Sequence, residues 1–177
     1  MSIGPFGRMR RLPPRRNESG EWRGGRVLGE RRLRSVGEFP HVMRDNVRFG
    51  DMDRNGHVNN AVFATYFETS RTTLFHASDN GLRPEPGSQF VLAHLAIDFR
   101  RELHWPGEIE LATGITAIGN TSLTMAQAIF DRGECAATAR AIIVCIDQKT
   151  RRPAPFSAAI RAACAPLMLA PVDGAPV

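Results

Sequence analysis

The sequence predicts an α+β domain in which one long helix is wrapped by an antiparallel sheet. From Asn60 to about Asn80, apolar residues recur at helical spacing. From Phe90 to Asp147, four segments read as strands, and the turns between the last three are so short that only antiparallel neighbours fit. A length of 177 residues with 42% hydrophobic content supports one well-filled core and is short for two.

Residues 1–38 carry ten arginines against four glutamates, are rich in Gly and Pro, and show almost no apolar periodicity. Such a stretch buries too little surface to offset its ordering entropy, which predicts a disordered tail. A basic arm could meet nucleic acid or an anionic membrane. The plainer expectation is a dispensable extension, and nucleic acid is not an expected partner. With 22 arginines and one lysine in the chain, GC-rich coding accounts for part of the arginine content. The tail has no apolar h-region, and its four glutamates argue against a transit peptide.

Residues 39–177 hold thirteen basic and fourteen acidic residues, so the body is near neutral. No run of 18 apolar residues occurs, which predicts no membrane span. Three cysteines, Cys135, Cys145 and Cys164, form an odd set without a C-x-x-C pair. They read as reduced, buried thiols of a cytoplasmic protein.

The domain is expected over residues 39–170, with 171–177 frayed. Asp45–Phe49 reads as a first strand entering an Asp-rich loop. The helix follows, with Asn59 or Asn60 as N-cap and Gly81 as its stop. Val62, Phe63, Tyr66, Phe67, Ser70, Leu74 and Phe75 spread over much of its circumference, as in a helix enclosed by a sheet. The four strands are Phe90–Arg101, Glu108–Ile118, Ser122–Asp131 and Cys135–Asp147. In the second, Ile109, Leu111, Thr113, Ile115 and Ala117 share a face. Turns at Gly119-Asn120 and Arg132-Gly133 join the last three, and a short helix is expected over Ser157–Ala163.

The loop Arg48-Phe-Gly-Asp-Met-Asp-Arg-Asn-Gly-His-Val-Asn-Asn60 is where chemistry concentrates. Asp53, Asn55 and His57 alternate just before the helix start. A carboxylate, an amide and an imidazole can move protons and orient water, and a helix start offers unpaired N–H donors. An EF-hand reading fits Asp51, Asp53, Asn55 and Gly56, but fails at Val62, where a bidentate Glu should close the calcium shell. A purely structural turn accounts for Asp51, Gly56 and Asn59. It leaves His57 and the crowding of polar residues unexplained.

That run, with Phe63 and the Tyr-Phe-Glu at residues 66–68, resembles the signature of the hotdog-fold thioesterases of the 4-hydroxybenzoyl-CoA thioesterase-like superfamily. Its D-x-N-x-H-V-N-N spacing is most similar to the acyl-ACP thioesterases and the bacterial acyl-CoA thioesterases near them. The likeness covers about residues 40–165 and implies a hotdog fold, a central helix wrapped by a curved antiparallel sheet. It implies Asp53 as general base or nucleophile, with Asn55 and His57 beside it. The stretch Ile97-Asp-Phe-Arg-Arg-Glu-Leu103 resembles the strand that carries that branch's glutamate, which falls on Glu102. Leu103 stands where the branch often has Cys, so a cysteine nucleophile is unavailable and the likeness tilts toward acyl-CoA.

The resemblance therefore implies hydrolysis of acyl thioesters without metal or cofactor, coenzyme A entering only as part of the substrate. Backbone amides around Asn59, Asn60 and Ala61 would polarise the carbonyl, and Phe63, Phe67 and Phe90 are candidates to line the acyl site. Arg100 and Arg101, or Arg151 and Arg152, could hold phosphates. A homodimer or homotetramer is expected. The alternatives are an acyl-ACP thioesterase, a hydratase, and a non-catalytic regulator that binds acyl thioesters.

Overall fold

A computed structural model describes residues 34–76 and 82–170. The expectations for residues 1–33, for Gly81 as helix stop and for a frayed 171–177 lie outside those residues. Residues 35–38, expected in the tail, are ordered: Val36–Glu38 form a 3-10 turn in which the Ser35 N–H and hydroxyl donate to the Glu38 carboxylate at 2.7 and 3.0 Å.

Strand β1 spans His41–Val47, earlier than the expected Asp45–Phe49. Phe49–Asp51 instead turn as a 3-10 segment, because the Arg48 N–H donates to the Asp51 carboxylate at 2.8 Å and closes the turn there. Helix α1 covers Asn60–His76. Strands β2 (Ser88–Phe99), β3 (Gly107–Ile118), β4 (Ser122–Asp131) and β5 (Glu134–Asp147) follow, then α2 (Ala158–Cys164). Ser157 caps α2, its hydroxyl accepting from the Ile160 N–H at 3.2 Å.

The sheet order is β1-β3-β4-β5-β2, every pairing antiparallel. The meander β3-β4-β5 is as the short turns require. At Arg132-Gly133 both residues have positive φ, the geometry of a two-residue hairpin. Irregular pairings at Leu92/His94, Ile115/Ala117 and Ile129/Phe130 interrupt the ladders, and such bulges bend a sheet. The bulge in β3 also explains why Ala117 is exposed, although it alternates with Ile109, Leu111, Thr113 and Ile115, which are buried.

Helix α1 lies on the inner face of this sheet between two apolar clusters. Phe63, Tyr66 and Phe67 pack with Val58, Leu103, Leu111 and Ile129 at its N-terminal half. Leu74 and Phe75 pack with Ile115, Met125, Ile143 and Ile160 at the other. Each large apolar side chain so buried contributes about 1.5–3 kcal/mol. A polar seam separates the clusters. Thr113 of β3 pairs in register with Gln127 of β4, and the two receive the helix: the Ser70 and Thr113 hydroxyls are 2.7 Å apart, and Arg71 Nη1 donates to Gln127 Oε1 at 2.8 Å. Gln127 Nε2 in turn donates to the Phe67 carbonyl and to Thr113 Oγ1. Helical spacing had marked Ser70 but not Arg71, because a lone arginine among apolar positions normally signals the exposed face.

The outer face of β3 and β4 is covered too. Phe39 and Leu169 pack over Ala112, Ala128 and Phe130. His41 is the first residue of β1, and burial pushes its imidazole pKa below the ordinary value. Cys145 and Cys164 are buried and Cys135 half-buried, all three as free thiols. Among the described residues, no helix is long and apolar enough to cross a membrane.

Candidate active site

The Asp-rich loop is a tight reversal, fixed largely by its own backbone. Met52 and Val58 form an antiparallel bridge, the Asp53 N–H donates to the His57 carbonyl at 3.0 Å, and the Gly56 N–H donates to the Asp53 carbonyl at 3.1 Å. Gly56 sits at φ +83, a left-handed conformation that requires glycine at this turn. The loop is anchored below by Asp51. Its carboxylate Oδ2 accepts from the Tyr66 hydroxyl at 2.5 Å, and its carbonyl accepts from the Asn59 N–H at 2.9 Å.

These constraints divide the labour between the Asp53 carboxylate oxygens. Oδ1 accepts from the Asn55 N–H at 2.7 Å and is used by the turn. Oδ2 accepts a long bond from the Asn55 amide nitrogen at 3.5 Å and lies 3.8 Å from His57 Nδ1, its only polar neighbours among the described residues. His57 Nδ1 lies 3.2 Å from the Val58 carbonyl. A hydrogen bond there puts the proton on Nδ1 and leaves Nε2 of the neutral ring as an acceptor.

Helix α1 starts directly after this loop. Asn59 caps it, its side-chain oxygen accepting from the Ala61 N–H at 2.9 Å. The expectation of open amides across Asn59–Ala61 therefore narrows. The Asn59 and Ala61 N–H groups are paired, and among the described residues no acceptor engages the Asn60 N–H.

A second segment joins from the connection between β2 and β3. The Val58 N–H donates to the Leu103 carbonyl at 2.8 Å, and His104 Nδ1 lies 2.9 Å from the Gly56 carbonyl. These ties bring Arg100, Arg101 and Glu102 to the loop. His104 thus has two partners: the Gly56 carbonyl, and the Glu102 carboxylate 3.5 Å from its Nε2. Arg101 forms an ion pair with Glu134 of β5, so only part of its charge remains for a ligand.

The result is a cleft of about 460 Å³ lined by Asp53, Asn55, His57, Val58, Asn60, Phe63, Phe99, Arg100, Arg101 and Glu102. Asp53, Asn55, His57 and Glu102 come together there, with Asn60, Phe63 and both arginines. Asn59 and Ala61 stand behind the wall as the helix cap, and Phe67 is packed in the core. The sequence missed Phe99, which meets Phe63 edge-to-face at 5.1 Å and makes one side of the cleft apolar. Its only signal was position, the last residue of a strand beside the arginine pair. A larger hollow of about 790 Å³ lies between the C-terminal half of α1 and the start of β2, lined among others by Arg71, Phe75 and Phe90. It contains none of the loop residues. Phe90 lies there, not in the cleft.

A carboxylate, an imidazole, the first residue of a helix and an apolar wall thus share one cleft beside the central helix of a hotdog fold. The chain belongs to the thioesterase-like superfamily, whose family model matches residues 47–164. A thioesterase from Thermus thermophilus, solved in complex with coenzyme A and Zn, is 34% identical, with 72% of this chain and 98% of that one covered and a TM-score of 0.63. A predicted thioesterase from Bacillus stearothermophilus is 27% identical over 74% of this chain and 98% of its own, with a TM-score of 0.65. A Pseudomonas aeruginosa protein at 24% identity shares the fold, with a TM-score of 0.69 and 76% and 96% of the two chains covered. No curated protein matches the sequence. The family and these relatives support thioester hydrolysis as the class of reaction.

Proposed function

We propose that this protein hydrolyses acyl-CoA thioesters to the free acid and coenzyme A. The observation that carries the reading is the cleft that Asp53 and Asn60 line together, with Asp53 Oδ2 held only by a long 3.5 Å bond from the Asn55 amide and the Asn60 N–H without an acceptor among the described residues. The thioester carbonyl lies over the start of α1, where the Asn60 N–H and the helix dipole stabilise the charge that develops on its oxygen. Asp53 Oδ2 is the reacting atom by either of two routes. As a base it takes a proton from the water that attacks the carbonyl. As a nucleophile it adds to the carbonyl, expels the thiolate and leaves a mixed anhydride that water then hydrolyses. Both routes end with acid and thiol.

His57, with its Nδ1 proton held by the Val58 carbonyl, offers Nε2 to orient that water. The Asn55 amide group and Glu102 are placed to hold water or carbonyl from the other walls. Phe63 and Phe99 receive the first part of the acyl group, and Arg100 and Arg101 the phosphates of the carrier. Coenzyme A as the carrier is supported by the relative that binds it. No further cofactor enters this chemistry.

The working unit is a homodimer or a pair of dimers. Strand β2 is a twelve-residue edge strand with Leu92 and Phe99 46% and 51% exposed, and an apolar edge of that length invites pairing with a second copy. The compartment is the cytoplasm, where the three free thiols stay reduced.

Thiol release from acyl-CoA esters of graded chain length, and from the same acyl groups on a carrier protein, tests the reading on the full chain. Turnover with acyl-CoA is expected. Tight binding without thiol release would instead make the protein an acyl-thioester-binding regulator, and turnover confined to the protein-borne substrates would make it an acyl-ACP thioesterase.

A further inference from the structure

Outside the cleft lining, on the two segments that build it, stands an aromatic pair that packing alone does not account for. Phe49 and Trp105 are 73% and 48% exposed, and they meet edge-to-face with ring centroids 5.3 Å apart. Buried aromatics are the norm for a core, whereas two large rings held together in solvent present aromatic surface to a ligand. Both stand on the segments that build the site. Phe49 opens the turn before Asp51, and Trp105 follows Glu102 by three residues. The bond from the Val58 N–H to the Leu103 carbonyl and the contact of His104 with the Gly56 carbonyl fix those segments to each other.

The arginines of the segments around the cleft are unevenly paired. Arg44, Arg48, Arg101 and Arg132 each have a carboxylate partner. Arg54 at the loop tip and Arg100 in the cleft wall have none among the described residues, and both are exposed. The cleft runs to Phe99 at the end of β2, while Trp105 lies just before β3. Trp105 follows Phe99 by six residues, at most about 21 Å of fully extended chain. A flexible arm joining a thioester to a nucleotide can bridge that span.

We propose that Phe49 and Trp105 form the platform for the adenine base of a coenzyme A thioester, with Arg54 and Arg100 holding its phosphates. The proposal rests on the thioester reading and sharpens it toward a nucleotide-bearing carrier. Purine bases stack on exposed aromatic rings, and guanidinium groups match phosphate oxygens in a fork. A protein carrier has phosphate but no base, so it would use the arginines and leave the rings idle.

The test compares an acyl-CoA with the same acyl group on N-acetylcysteamine, which has a thioester and no nucleotide, and measures binding of adenosine 3′,5′-bisphosphate by calorimetry. Trp105→Ala should lower the ratio of kcat/KM for acyl-CoA to that for the short thioester about 10-fold and weaken the bisphosphate by a similar factor. Trp105→Phe should restore most of both. Arg54→Gln should flatten the salt dependence of bisphosphate binding. An unchanged ratio and unchanged bisphosphate affinity in Trp105→Ala would overturn the proposal, as would wild-type protein that hydrolyses acyl-CoA but does not bind the bisphosphate. If wild-type protein hydrolysed neither thioester, the hydrolase reading would fail by itself, and the effect of Trp105→Ala on bisphosphate binding would still decide the nucleotide site.

Discussion

The Tyr66 hydroxyl donates to Asp51 Oδ2 at 2.5 Å, tying the middle of α1 to the turn that precedes Asp53. Tyr66 is fully buried, and the carboxylate it holds also accepts from the Arg48 N–H. One side chain thus fixes the height of the loop relative to the helix whose first residue, Asn60, lines the cleft. Tyr66→Phe keeps the packing and removes the bond. It should destabilise the protein by about 1.5–3 kcal/mol, the usual range for a hydrogen bond to a charged group. A lower urea midpoint at unchanged slope would report that loss. Catalytic efficiency should fall about 10-fold as Asp53 drifts from its position. Wild-type stability in the variant would show that the contact does not hold the loop.

Tyr66 is the only tyrosine, so its ionisation can be followed alone by absorbance at 295 nm. Burial first, and then the bond to the Asp51 carboxylate, push its pKa well above the ordinary 10.0. In the unfolded chain the phenol ionises near that ordinary value, while the folded protein keeps the proton. The stabilisation is thus complete below about pH 10 and declines as pH rises past it. Phenolate absorbance should therefore appear only together with alkaline unfolding. Reversible titration near pH 10 in folded protein would contradict the geometry.

Much of this was legible in the sequence, and the misses have physical reasons. The helix, the meander and the cluster of Asp53, Asn55 and His57 follow from periodicity, turn residues and spacing, which are local signals. The early start of β1 was hidden because His41-Val-Met-Arg-Asp mixes polar and apolar residues, and its partner strand lies some 70 positions on. The open amide could not be narrowed to Asn60 without knowing that the Asn59 side chain turns inward to Ala61. Arg71 and the Phe49–Trp105 pair depend on contacts across the fold, for which one sequence carries no signal, and Phe99 had only its position at a strand end to mark it.

The outer face of the sheet offers a stability test remote from the site. A Cβ placed on Gly114 would fall 2.5 Å from Leu169 Cγ, so the glycine is required by the close approach of the C-terminal segment. Gly114→Ala should cost about 1–3 kcal/mol by overpacking. Adding Leu169→Ala should recover part of that loss instead of summing with it, since the two share one contact. Simple additivity in thermal melts would show that Leu169 does not occupy this position in solution.

Strand β2 gives a test of assembly. Light scattering at micromolar concentration should return the mass of a dimer or tetramer. Leu92→Glu, which places like charges on both copies at an exposed apolar position of this strand, should weaken association on the order of 100-fold. A monomeric wild-type protein would remove β2 as an interface.

The central claim is that Asp53 carries the chemistry of this cleft, and Asp53→Asn tests it most directly. Asparagine retains an oxygen to accept from the Asn55 N–H, so the turn is preserved while the reactive carboxylate is lost. With an acyl-CoA that the wild-type protein hydrolyses, kcat should fall about 10²–10⁴-fold with the melting temperature little changed. Wild-type turnover by a folded Asp53→Asn protein would contradict the account.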